Sequence, residues 1–174
     1  MAEALTYTCG CCGEVHKGLP DFGFDSPDFY WDVPETERDR RSTLDNNFCS
    51  IDGEYFFVRC VLEIPIIGTE DSFGWGVWSS LSETNYKRYQ DVFLADQRSG
   101  EGPYFGWLSN RLPFYPETLQ LSQKVHPQDD NMRPLLELEP TDHPLAVDQR
   151  EGMPMERAIE FAQRLMHRDF DFSI

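Results

Sequence analysis

Hydrophobic and polar residues alternate along residues 55–66, and this pattern indicates a β-strand with one buried side. One face of the segment carries only apolar side chains, at Phe56, Val58, Cys60, Leu62, Ile64 and Ile66. The opposite face includes Arg59 and Glu63. A repeat of two is typical of a strand that packs one face against a core. A short apolar run at 48–51 and an Asp52-Gly53 turn precede the segment, which predicts a strand, a turn and a long strand.

Four more segments predict strands, and three predict helices. The strand segments are FGWGVWSSL (73–81), YFGWLSN (104–110), TLQLSQKVH (118–126) and RPLLELEP (133–140). A charged helix begins after Pro34, a second carries Tyr86, Tyr89 and Phe93 on one stripe, and a third runs from Pro154 to about residue 168. Consecutive strands with short connections favour a mainly antiparallel sheet of about five or six strands with helices on one face, an α+β fold.

The length and composition are those of one domain. The chain has 174 residues, of which 40% are hydrophobic and 14% aromatic, enough for one core but not for two full domains. We therefore expect a single domain over 1–174. It would comprise an N-terminal cysteine-containing loop region (1–35), a sheet within 46–140 and a C-terminal helix at 153–168.

The charge balance narrows the classes of partner. The chain has 15 Lys and Arg against 31 Asp and Glu, a formal net charge of −16. Such a surface repels phosphate backbones and anionic lipids, so we expect neither nucleic acid nor membrane as a partner. A protein partner with a basic surface is compatible with this charge. The oligomeric state does not follow from the sequence.

The N-terminal residues and the cysteine count bear on the compartment. No segment approaches the roughly 20 consecutive apolar residues of a membrane helix, and residues 1–8 do not have the pattern of a secretory signal. We therefore expect a cytoplasmic protein, in which thiols stay reduced. Five cysteines is an odd number, which also argues against a framework built only from disulfides.

The segment TYTCGCCGEVH (6–16) carries the strongest chemical signal. Cys9 and Cys12 are separated by two residues and followed by Gly13, as in half of a zinc knuckle, where both sulfurs reach one ion. His16 is within ligand reach, and Cys49, just before the long strand, is the natural fourth ligand. Cys60 is excluded, because it lies on the buried face of that strand.

Two other interpretations of the cysteines remain. The thiols could be reduced and unliganded in a packed turn, or Cys9 and Cys12 could form a redox pair. The redox interpretation has less support, because a redox-active CxxC motif usually lies at the start of a helix, where the helix dipole lowers the pKa of a thiol, and this segment lacks that context. Cys11 could replace Cys9 as a ligand, or could be oxidised without binding metal.

Two polar groups are weaker candidates for chemistry. His143 and Asp148, in the segment 143–152, could act as acid and base. The alternative is a polar loop, fixed by Pro144, in which these side chains satisfy backbone groups. A second group of polar residues could line a cleft or form cross-strand salt bridges. It comprises Arg59, Glu63, Glu137 and Glu139.

Several motifs together resemble a known family. They are CxxCGxxH near the start, ER-x-x-R before Asp45, Cys49 followed by FFVR, then GWGVWSSLSETN, YFGWL and RPLLELEPTDHPLAVDQ-x-x-G. In this order they resemble a family of uncharacterised bacterial proteins, domain of unknown function 2199, over roughly residues 7–162. The resemblance implies a single-domain bacterial protein and no particular substrate. It also places Cys9, Cys12, His16 and Cys49 on the cysteine and histidine positions of the family, whereas Cys11 and Cys60 are peculiar to this chain.

These observations lead to a hypothesis and two rivals. The hypothesis is a non-catalytic binding or interaction module with a structural Zn²⁺ held by Cys9, Cys12, His16 and Cys49. The first rival is a small enzyme that uses His143 and Asp148, or a catalytic zinc with three protein ligands and a water. The second is an acidic immunity or regulatory factor that binds a basic surface.

Overall fold

The computed structural model describes residues 5–167, so the predicted ranges at 1–4 and 168–174 lie outside the described residues. The strands are β1 (Thr6–Thr8), β2 (Val15–Lys17), β3 (Phe22–Gly23), β4 (Ser42–Leu44), β5 (Phe48–Ile51), β6 (Tyr55–Pro65), β7 (Ser72–Leu81), β8 (Tyr104–Leu108), β9 (Ser122–His126) and β10 (Leu135–Leu138). The helices are α1 (Glu35–Arg41), α2 (Glu83–Val92), α3 (Pro144–Glu151) and α4 (Met155–Met166). A 3₁₀ turn spans Asp28–Tyr30.

Five of the strands close into a barrel. β6 pairs with β7 from Phe56 to Pro65, and β7, β8, β9 and β10 follow as antiparallel neighbours. The ring closes where β10 returns to β6 as a parallel strand, with Leu135 opposite Val61. A closed barrel has no free sheet edges around its circumference. The predicted sheet is therefore present and mainly antiparallel, but it is closed, so the expectation of helices on one face has to be corrected.

The face of β6 that is directed into the barrel is apolar, as the alternation along residues 55–66 predicts. All six residues of the predicted face are buried, and they join one cluster with Trp75, Val77, Leu108 and Val125 from the other strands. Tyr86 and Tyr89 of α2 and Phe161 of α4 belong to the same cluster. α2 and α4 therefore share one core with the barrel.

A second cluster lies on the other face of β6. It consists of Val33, Cys49, Ile51, Phe57 and Trp78, all buried. β5 supplies two of them, because β5 pairs with the first residues of β6, Tyr55–Val58, before the point where β10 contacts β6, and β4 pairs with β5 in turn. The 3₁₀ turn covers this cluster, with the ring of Phe29 stacked on that of Phe57 at 5.9 Å.

Two predicted helix or loop assignments change. The helix expected after Pro34 ends at Arg41, where β4 begins. Residues 144–151, expected as a polar loop, form α3, because His143 caps its first turn and Pro144 has no N–H to leave unpaired there. α4 ends at Met166, and residue 168 lies outside the described residues. Over residues 5–167, no helix is long and apolar enough to cross a membrane.

Gly106 of β8 has no room for a side chain, because β7 lies against it. A Cβ atom at this position would lie 2.1 Å from the Ser80 carbonyl oxygen and 2.4 Å from Ser79 Oγ. We expect Gly106→Ala to destabilise the protein by about 1–3 kcal/mol. The added methyl group would push β8 away from β7, and the pairing of strands around a closed barrel opposes such a shift. Urea denaturation measures the change. Gly100→Ala is the control, since a Cβ there meets no atom within 4 Å, and equal stability of the two variants would contradict the prediction.

Candidate metal centre

The cysteine-rich segment is the tip of an N-terminal hairpin. β1 and β2 pair antiparallel, with Tyr7 opposite His16. The ladder continues past the strands, because the Cys9 N–H donates to the Glu14 carbonyl at 2.8 Å and the Gly13 N–H donates to the Cys9 carbonyl at 2.9 Å. Gly13 has a φ of 75°, a left-handed conformation that glycine adopts without strain. The turn therefore folds Cys12 back toward Cys9.

Two cysteines and two histidines converge at this tip. The potential ligand atoms of Cys9, Cys12, His16 and His167 all lie within 4.8 Å of one another. The Cys9 Sγ is 3.0 Å from His167 Nε2, and the Cys12 Sγ is 3.7 Å from His16 Nε2. Tetrahedral zinc, with bonds of about 2.3 Å to sulfur and about 2.0 Å to nitrogen, has neighbouring ligand atoms roughly 3.3–3.8 Å apart. Small side-chain movements would bring the four atoms to this geometry, so the group could hold a metal ion.

His167 reaches the hairpin from the end of α4. Its backbone N–H donates to the Gln163 carbonyl at 3.1 Å, so it continues the last turn of the helix. Leu165 anchors that turn in the core. The hairpin touches α4 directly, since a Cβ on Gly10 would meet the Gln163 side chain at 3.6 Å. Packing of the helix, and not local sequence, therefore delivers the second histidine.

The environment of Cys9 favours its thiolate. The residue is only 1% exposed, and burial alone raises the pKa of its thiol. Hydrogen bonds from the backbone N–H groups of Cys12 and Cys11, and then from the side chains of Cys12 and His167, outweigh burial and lower the pKa to about 6. A thiolate that accepts backbone N–H groups is the form that binds metal ions. Cys12 and His167 are exposed, so an ion could reach Cys9 from solvent.

The structure places Cys49 away from this group. Cys49 lies on β5 in the second cluster and is 0% exposed. Burial, and then the charge of Asp45, raise the pKa of its thiol to about 12. Three residues of the ligand set inferred from the sequence, Cys9, Cys12 and His16, therefore belong to this group. Its fourth member is His167 and not Cys49. Cys60 lies inside the barrel with its Sγ directed at the Val58 carbonyl, in agreement with its exclusion as a ligand.

These environments predict a graded reactivity of the thiols. We expect Cys49 and Cys60 of the native protein to resist Ellman's reagent at pH 8, because both are buried and the pKa of each thiol is raised. Exposed Cys11 and Cys12 should react, Cys12 more slowly when metal is bound. Mass spectrometry of the labelled peptides identifies the sites, and urea-unfolded protein is the control, in which all five should react. Rapid labelling of native Cys49 would contradict the prediction.

His143 and Asp148 have separate structural roles. The His143 Nδ1 accepts the Leu145 N–H at 3.1 Å, and its Nε2 donates to the Glu117 carbonyl at 3.1 Å. Asp148 accepts the Tyr115 hydroxyl at 2.7 Å and two N–H groups of the Arg157 guanidinium at 2.8 and 2.5 Å. The partners of the two side chains are therefore different, and both ring nitrogens of His143 are used by backbone groups.

Two of the four polar residues considered above, Glu137 and Glu139, form pairs with residues of the neighbouring strand. Glu137 on β10 contacts His126 on β9 at 2.6 Å, and Glu139 contacts Lys124 at 3.6 Å. Arg59 is paired with Asp25 at 3.6 Å. The contacts of Glu137 and Glu139 correspond to the cross-strand alternative, whereas the partner of Arg59 lies in the segment after β3.

Comparison with known proteins identifies a family. A family model described as an uncharacterised protein conserved in bacteria (DUF2199) matches residues 8–153. No curated protein and no solved structure matches the chain. The matched range contains Cys9, Cys12 and His16, and it ends before α4 and His167.

Proposed function

The chain belongs to this family of uncharacterised proteins conserved in bacteria, and we propose that it is a non-catalytic binding or interaction module with a structural zinc ion. The ligands are Cys9, Cys12, His16 and His167. The observation that carries the proposal is the convergence of these four ligand atoms within 4.8 Å from two distant parts of the chain.

The chemistry of the donors favours zinc in a closed site. Two thiolates and two imidazoles form a tetrahedral set that suits Zn²⁺, whereas hard ions such as Mg²⁺ and Ca²⁺ prefer oxygen ligands. Four protein ligands leave no position for a water or a substrate, which is the arrangement of structural and not catalytic zinc. The ion would therefore stabilise the folded structure and take no part in a reaction.

The N-terminal hairpin has few contacts of its own to stabilise it, and a bound ion would add to them. Its two strands have three residues each, and an isolated two-stranded hairpin is marginally stable in water. Tyr7 is buried on the core, but Val15 is exposed and the tip carries polar residues. A metal bound by Cys9 and His167 would join the hairpin to α4 across 158 positions of sequence.

The enzymatic alternative has less support. The hydrogen bonds of His143 go to backbone groups, and those of Asp148 go to Tyr115 and Arg157.

An interaction role agrees with the net charge of −16, which suits a partner with a basic surface. For such a partner, binding measured against salt concentration should weaken steeply, since exposed charges are screened.

Metal analysis of protein purified without a histidine tag tests the zinc site. We expect about one zinc ion per chain, and a tetrahedral absorption spectrum after exchange for Co²⁺. Cys9→Ser and His167→Ala should lose the ion, whereas Cys11→Ser and Cys49→Ser should keep it. Protein that contains no zinc and gives no Co²⁺ spectrum would overturn the proposal. Loss of the ion in Cys49→Ser but not in His167→Ala would instead support the ligand set inferred from the sequence.

A further inference from the structure

A pocket lies beside the end of the barrel where β6 begins and β7 and β8 end. Its volume is about 670 Å³, within the range of sites that bind small organic molecules. The 3₁₀ turn and β5 form its other sides, through Phe29, Val33 and Ile51. None of the four residues proposed to bind zinc lines it, so its function does not depend on the zinc site.

Aromatic rings form much of the wall of this pocket. Phe57 lines it and is buried, with its ring stacked against that of Phe29. Tyr55 and Trp107 also line it, and they are 58% and 45% exposed. Large rings left open in a concave site present π faces to a ligand, and mark binding sites more often than isolated surface residues do.

The polar rim of the pocket is negative. Three carboxylates line it, those of Asp32, Asp52 and Glu54, together with the guanidinium of Arg41. Arg41 is already neutralised, since it donates to Asp52 at 2.8 and 2.7 Å and to Glu37 at 2.7 Å. Asp32 and Glu54 are exposed and form no ion pair with any residue in the range 5–167. Two carboxylates therefore remain uncompensated at an aromatic pocket.

We propose that this pocket binds a small organic cation, an amine or quaternary ammonium compound with an aromatic or aliphatic body. The body fills the space between Phe57 and Trp107, and the cation lies toward Asp32 and Glu54. Aromatic faces attract cations through their quadrupoles, and carboxylates at the rim add to this attraction. An anion of the same shape would be repelled by the same groups.

Three compounds that share one ring and differ in charge test this proposal. They are phenethylamine, 2-phenylethanol and phenylacetate, which are cationic, neutral and anionic at pH 7. We expect phenethylamine to bind with a change in tryptophan fluorescence, 2-phenylethanol to bind about tenfold more weakly, and phenylacetate to bind weakest. Trp107→Phe should remove the fluorescence change while calorimetry still detects binding of phenethylamine.

Paired variants separate the pocket from general charge effects. Asp32→Asn combined with Glu54→Gln should reduce phenethylamine binding about tenfold, to the level of the alcohol. Glu63→Gln combined with Asp71→Asn removes the same charge from residues that do not line the pocket, and it should leave binding unchanged. Equal binding of the three compounds, no binding of any of them, or an unchanged preference in the Asp32 and Glu54 variant would each overturn the proposal.

Discussion

Zinc should raise the free energy of unfolding by about 4 kcal/mol when free Zn²⁺ is about 1,000 times its Kd, and a chelator should reverse this gain. The reason is that the native fold alone holds Cys9 and His167 side by side, since they are 158 positions apart in the sequence. A ligand that binds the native and not the unfolded state stabilises the native state by mass action. Urea denaturation with zinc and with EDTA measures the gain.

Matched histidine variants show whether the gain comes from this site. His167→Ala should lose most of the zinc-dependent stabilisation, whereas His126→Ala should keep it, because His126 contacts Glu137 on the barrel. Hydrogen exchange of residues 6–17 should speed up when the metal is removed, since the hairpin loses its connection to α4. Identical urea midpoints with zinc and with EDTA would contradict the structural role.

Asp148→Ala should destabilise the protein by about 3 kcal/mol. Asp148 is 7% exposed and joins Arg157 of α4, and Tyr115 of the loop between β8 and β9, to α3. Its removal leaves a guanidinium and a hydroxyl without their partner, and breaking a buried pair in this way costs about 3–5 kcal/mol. We take the lower end, because Arg157 is partly exposed. Chemical denaturation measures the difference from the unsubstituted protein.

Two further variants test this interpretation. Glu151→Ala removes an exposed carboxylate from the same helix, where its contact with Arg150 is 3.9 Å, and should change stability by less than about 0.5 kcal/mol. Adding Arg157→Met to Asp148→Ala should recover part of the loss, because no unpaired charge then remains. If Asp148→Ala and Glu151→Ala are equally stable, the pair does not hold the helices together.

Local pattern predicted the elements of this fold better than their arrangement. The alternation from Phe56 to Ile66 identified β6 and its buried face, because side-chain direction in a strand depends only on position. Closure of the barrel depends on Leu135 pairing in parallel with Val61, a contact between distant segments that neither segment reveals alone. α3 was missed because His143 supplies an unusual cap.

The four residues proposed to bind metal also differ in how far the sequence predicts them. Cys9, Cys12 and His16 lie within one hairpin, so their spacing was sufficient to connect them. His167 joins them only through the packing of α4. One signal against Cys49 was present in the sequence, since it alternates with Ile51 on β5 and so shares its buried face. The same argument had removed Cys60.

The distance in sequence between Cys9 and His167 also determines how long after the synthesis of Cys9 the four proposed ligands can come together in the newly made protein. At about 5–20 residues per second, the ribosome needs roughly 8–30 s to add the residues that separate them. During that interval the thiols of the hairpin are outside the finished site and open to oxidation or to other metals. Completion of the zinc site would therefore mark a chain that has been translated and folded through α4.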